Sequence, residues 1–210
     1  MLLKRAIPEQ GQKQERSFKA SFRQVTDESE GEDNSRRFEL TFSSEEPYDR
    51  FFGPEILDHG EGAVDLTRLS EIGCVLFNHE RDDVIGRVDK VWIEDGRAHA
   101  VIEFDDDEFS ERIMRKVQHG SLKGVSVGYM VDNFEEVAPG KKSTDGRFTG
   151  PCFIARKWTP LEISIVSVPA DATVGVGRSL DEESAKQHEA SLDAYERQLL
   201  YNNNFFTKRR

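Results

Sequence analysis

The chain has 210 residues, 36% of them hydrophobic and 33% charged, which suits one domain with appendages rather than several independent cores. Its net charge of −11 and pI near 5.0 create a field that repels phosphate backbones and anionic lipid, so direct nucleic-acid and membrane partners are excluded and basic or neutral proteins fit better. No run reaches the ~18 to 20 consecutive apolar residues of a membrane span, and Met1-Leu2-Leu3-Lys4-Arg5 lacks the apolar core of a signal peptide, so the protein is expected in the cytoplasm where it is made.

Residues 1–36 are rich in Gln, Lys and Glu and end in the acidic run Asp27 to Asn34; they read as a mobile polar arm, with room for a short strand near Ser17 to Val25. From Arg37 the texture changes. Phe38, Leu40 and Phe42 alternate with polar neighbours, the period of a half-buried strand, and the folded domain is expected to start there. Pro47 to Gly62 is dense in turn formers and reads as loop, and Cys74 to His79 reads as a short buried strand ending in polar residues. Arg87 to Ile93 and Ala98 to Phe104 flank Asp95-Gly96, which predicts a hairpin with a tight, positive-φ turn. Phe109, Ile113, Met114 and Val117 share a helical face between Asp107 and His119, with Gly120 placed to end the helix. Val125 to Val131 and Leu161 to Val168 are β-branched strands, separated by an exposed loop over Pro139 to Pro151. Beyond Gly177, Ser179 with Glu182 makes a capping box, and Leu192, Tyr195 and Leu199 form a helical stripe, so 179–210 is expected to be a helix and tail.

The groups capable of chemistry are few. Histidines at 59, 79, 99 and 119 are evenly spaced, but their neighbours share nothing, and no HExxH, HxxxH or calcium-loop pattern is present, so no metal or other cofactor is expected. Cys74 and Cys152 lack CxxC spacing and read as free, buried thiols. Strand alternation puts Cys74 on the face of Leu76 and Asn78, and His79 on that of Val75 and Phe77, which disfavours a Cys/His pair. Ser126 lies in Gly124-Val125-Ser126-Val127-Gly128, a GxSxG string, yet the valines and the following Tyr129-Met130-Val131 continue a strand and form no strand-to-helix elbow. On local grounds alone Ser126 is a small residue in a crowded strand and His79 a strand-end histidine. Glu162 stands apart, because a carboxylate among Leu161, Ile163 and Ile165 is costly to bury without a charged or donating partner, and a histidine would serve.

Four motifs in order resemble the prohead proteases of tailed bacteriophages: Pro47-Tyr48-Asp49-Arg50 with Gly53-Pro54-Glu55-Ile56-Leu57; Phe77-Asn78-His79 with Ile85-Gly86-Arg87-Val88; Gly124 to Tyr129; and Trp158 to Ser164 with Val168-Pro169-Ala170. The resemblance covers about residues 37–178, the expected protease domain between the arm and the tail. It implies an α+β fold similar to the herpesvirus assemblins, a small, mostly antiparallel β-barrel with surrounding helices. It also implies a catalytic set of His79, Ser126 and Glu162, and a serine endopeptidase that digests scaffolding segments and itself inside the immature shell. The partners implied are scaffolding protein or a scaffolding domain of the capsid protein, the major capsid protein, and a second copy of the chain by analogy with the herpesvirus relatives. Backbone amides near Ala170 to Thr173 are the candidate oxyanion donors. Two rivals stand beside this reading: a catalytically inactive scaffold or capsid-binding module, and a small-molecule esterase, which would need a deep apolar pocket.

Overall fold

The structure, a computed structural model, describes residues 11–25 and 34–168. Alternating apolar and polar side chains build most of it. The strands are β1 (Lys13–Lys19), β2 (Arg23–Gln24), β3 (Arg37–Ser44), β4 (Tyr48–Arg50), β5 (Gly53–Leu57), β6 (Cys74–Phe77), β7 (Glu80–Glu94), β8 (Arg97–Phe104), β9 (Gly124–Val137) and β10 (Cys152–Val166). Two helices accompany them, α1 (Thr67–Ile72) and α2 (Glu108–Gln118). The strands form one sheet in the order β1-β9-β10-β6-β7-β8-β3-β2, with β5 also paired to β10 and β4 to β5. Pairing is antiparallel except where β10 runs parallel to β5 and to β6.

The sheet curls into a half-barrel. Its concave face carries Phe38 and Leu40 of β3, Ala100 and Ile102 of β8, Val127 and Tyr129 of β9 and Ile163 of β10, all buried in one core with Ile113, Met114 and Val117 of α2. The expected small, mostly antiparallel β-barrel is present in part, as this half-barrel, and the described residues are mostly β with few helices around it. The physical reason is strand length: β7 and β10 run for 15 residues each, and strands of that length coil until one face of the sheet largely covers itself.

Local chemistry explains most of the elements. Asp95 and Gly96 take φ of 49° and 68°, the left-handed pair that a two-residue hairpin between β7 and β8 requires. Asp107 caps α2 by accepting from the backbone N–H groups of Phe109 and Ser110 at 2.8 and 3.1 Å. The segment read as loop over Pro47 to Gly62 holds β4 and β5, whose turn formers mask three- and five-residue strands. The 139–151 loop is anchored: Ser143 is buried, and Asp145 binds Arg156, which also binds Asp58 of the segment after β5. Within the stretch read as a polar arm, β1 pairs along its whole length with β9 and so lies in the sheet. The proposed helix and tail over 179–210 lie outside the described residues.

Candidate active site

Strand β6 ends at Phe77, and the chain reverses into β7 through Asn78 and His79 at φ of 53° and 65°. Asparagine tolerates that region; histidine does so less readily, and such local strain concentrates at functional sites. The turn is pinned by Asn78, whose N–H donates to the Ile165 carbonyl at 2.9 Å and whose Oδ1 accepts from the Ser167 N–H at 2.9 Å. The direction of His79 is therefore set by this turn and not by the alternation of β6.

Ser126 is the third residue of β9, opposite Ser17 of β1 on one side and Ser164 of β10 on the other. Glu162 lies on β10 just past a register irregularity between Pro160 and Glu162, where it faces Gly128 of β9. A Cβ on Gly128 would come within 2.3 Å of Glu162 Oε1, so the missing side chain is what lets the carboxylate lie over that strand.

These three elements bring the sequence-predicted residues together. His79 Nε2 is 2.7 Å from Ser126 Oγ, and His79 Nδ1 is 2.7 Å from Glu162 Oε1. The second carboxylate oxygen, Oε2, accepts from Ser164 Oγ at 2.8 Å, and Lys13 Nζ lies 3.5 Å from Oε1. Burial pushes the Glu162 carboxyl up, but the His79 and Ser164 bonds and the charges of His79 and Lys13 outweigh it and leave the group below its ordinary value. Glu162 is thus an anion at neutral pH. Burial raises the Cys74 thiol, with Glu162 adding to the effect, so this cysteine is a poor nucleophile.

Four contributing residues escaped the sequence reading. Ser164 was open to discovery, since two residues along a strand from Glu162 is the same face. Lys13, Glu15 and Ser17 show the same period within β1, but nothing local ties them to His79, Ser126 and Glu162, so far along the chain. Glu15, His79 and Glu162 place ligand atoms within 4.8 Å of one another, the spacing of a cation site. The Lys13 ammonium already supplies positive charge there, which opposes a divalent ion. Beside His79 opens a cleft of about 530 Å³ lined by Glu15, Tyr48, Arg50, Asn78 and Val166 among others. Its wall is largely polar, unlike the apolar pocket a small-ester hydrolase would need. The amides proposed as oxyanion donors, 170–173, lie outside the described residues.

Comparison with known proteins gives this geometry a context. The chain is 37% identical over 150 residues to a protein named major capsid protein from Halomonas phage phiHAP-1; the match covers 70% of this chain and 24% of that one. The chain thus spans about a quarter of that relative's length. No solved structure matches the chain. The family model described as caudovirus prohead serine protease matches residues 55–190, more than half of the chain and the stretch that holds His79, Ser126 and Glu162. With that stretch matched, the chain belongs to the caudovirus prohead serine proteases.

Proposed function

We propose that this chain is the endopeptidase of a phage prohead, cleaving scaffolding or capsid-protein segments and itself as the shell matures, with Ser126, His79 and Glu162 as its catalytic set. The observation that carries this reading is the imidazole of His79 with each ring nitrogen 2.7 Å from a partner, Ser126 Oγ at one end and Glu162 Oε1 at the other.

In this arrangement Glu162 accepts a hydrogen bond from Nδ1–H, which leaves Nε2 as the base toward Ser126. The Ser126 hydroxyl loses its proton to Nε2 as its oxygen attacks a peptide carbonyl. The imidazolium so formed is stabilised by the Glu162 anion, which Ser164 holds in place. The proton then passes from Nε2 to the leaving amine, and water, deprotonated by the same nitrogen, hydrolyses the acyl-enzyme. Backbone donors aimed at the developing oxyanion would contribute about 3 to 4 kcal/mol each.

The family and the capsid protein that the chain resembles support a setting in which the enzyme acts among capsid subunits, inside the immature shell in the host cytoplasm. The test is the intact mass of the purified protein over several days and after mixing with a cognate scaffold segment. Wild type is expected to cut at discrete sites, and Ser126→Ala, His79→Ala and Glu162→Ala to leave both chains whole. Equal cutting by wild type and Ser126→Ala would assign the nucleophile elsewhere; no cutting by any of them, with Ser126 also inert to a serine-directed fluorophosphonate, would make the domain a binding module.

A further inference from the structure

The proposed nucleophile is fully buried: Ser126 has 0% of its surface exposed. What covers it is β1. Three successive same-face residues of this strand each meet one member of the set: Lys13 Nζ lies 3.5 Å from Glu162, Glu15 Oε2 lies 3.7 Å from His79 Nε2, and Ser17 Oγ lies 3.0 Å from Ser126 Oγ. The Ser126 hydroxyl is in addition 3.0 Å from the Arg16 carbonyl oxygen, to which it donates. That hydroxyl carries a single proton. Given to Arg16, it is not passed to His79, and the oxygen of the Arg16 peptide, not its carbon, faces the nucleophile. A polypeptide is thus laid across the site in an unreactive pose.

We infer that β1 is a built-in occupant of the substrate track, so that the described form of the enzyme is latent, and that substrates bind as an extended strand added to β9 once β1 has left it. This rests on the assignment of Ser126 as nucleophile made above.

Three further observations support it. β1 ends the sheet and pairs with β9 alone, so its departure breaks one ladder and leaves a free strand edge, the usual receptor for an extended peptide. The strand also lies ahead of the residues 55–190 that match the family model, outside the segment that carries His79, Ser126 and Glu162. Its anchor is imperfect as well. Arg16 is 2% exposed, its guanidinium donates to the Glu46 carbonyl and lies 5.2 Å from the Tyr48 ring centroid, yet its Nε and Nη1 are buried without a hydrogen-bond partner. Its bond to Glu46 and its contact with Tyr48 still hold the strand, but less firmly than a fully bonded guanidinium would. Arg50 helps hold the strand by donating to the Glu15 carbonyl at 2.7 Å.

Lys13 and Met130 are directly opposite in the β1/β9 ladder, so the double variant Lys13→Cys/Met130→Cys can join the strands by a disulfide. A fluorophosphonate probe, which reacts with an activated serine, is applied to the full chain in oxidised and reduced form, and the labelled residue is located by peptide mass. Labelling at Ser126 should be at least tenfold slower when oxidised and recover on reduction; the lost lysine is common to both states. Arg16→Ala, with the strands unlinked and folding verified by circular dichroism, should label several-fold faster than wild type. Equal labelling at Ser126 in oxidised and reduced protein would overturn the latency and leave the nucleophile standing. No labelling at Ser126 in either state, nor in Arg16→Ala, would overturn both.

Discussion

The tolerance of the site is set by single atoms. Replacing Glu162 by Gln keeps the shape and removes the charge. Its amide can then donate to Nδ1 and hold the imidazole in the wrong tautomer, so turnover should fall by about 10³- to 10⁴-fold with substrate affinity little changed, as read in steady-state cleavage of a scaffold peptide. Gly128→Ala tests geometry alone. The new Cβ would stand 2.3 Å from Glu162 Oε1 and 2.9 Å from Lys13 Cε, so the carboxylate must shift. A loss of roughly 100-fold in kcat with the fold intact is expected, because displacements near 1 Å cost that much in aligned sites. Of these two residues only the glutamate announced itself in the sequence. An ionisable group in an apolar strand demands a partner, whereas the need for glycine at 128 arises from a neighbouring strand and has no local signature. His79 shows the same limit in another form: alternation along Cys74 to Phe77 was legible, but the left-handed turn at Asn78 and His79 decides where the imidazole points.

At the scale of elements, the clearest sequence signals were those in which one local rule suffices. The Asp95-Gly96 turn, the capped helix α2 and the period of β3 each need only their own residues. Elements that depend on distant partners were harder to see. β5 exists because β10 offers it an edge, β4 because β5 does, and β1 because β9 does. The 139–151 loop belongs to this second class: its composition says exposed turn, yet Arg156 reaches Asp58 at 2.6 Å, Asp145 at 2.8 Å and Glu135 at 2.6 Å, while Arg147 reaches Asp58 at 2.7 Å. Side-chain bonding to Asp145 leads the causes that push the Arg156 guanidinium above its ordinary range. Arg156→Met should lower stability by about 2 kcal/mol in urea unfolding, because Asp58 loses one of its two cationic partners in a poorly solvated place. The loop lies away from Ser126, so peptide cleavage by the folded variant should stay within about twofold of wild type.

At the scale of the molecule, the response to mild acid is governed by His59, the one buried histidine among the described residues. His59 is 5% exposed; its N–H groups meet the Glu45 carboxylate from the backbone and the Leu57 carbonyl from Nδ1, Trp158 packs edge-on at 5.4 Å between centroids, and Nε2 is buried without a hydrogen-bond partner. Burial lowers its pKa from 6.5 to about 4, with Arg16 acting in the same sense and the Leu57 bond and the charges of Glu45 and Asp58 opposing it. Between those two values the unfolded chain binds a proton that the folded chain refuses. Stability should accordingly be level above pH 6.5, fall as pH drops from 6.5 toward 4, and lose about 3 kcal/mol over that window from this residue. The depressed carboxylates, Glu162 and Asp58 among them, add a further loss only as pH falls below their ordinary values near 4, which separates the two effects. His59→Asn keeps a donor close to the Leu57 carbonyl and cannot titrate, so its urea midpoint should be flat from pH 6.5 to 4.5 where that of wild type slopes. Parallel slopes in the two proteins would place the acid sensitivity in groups other than His59.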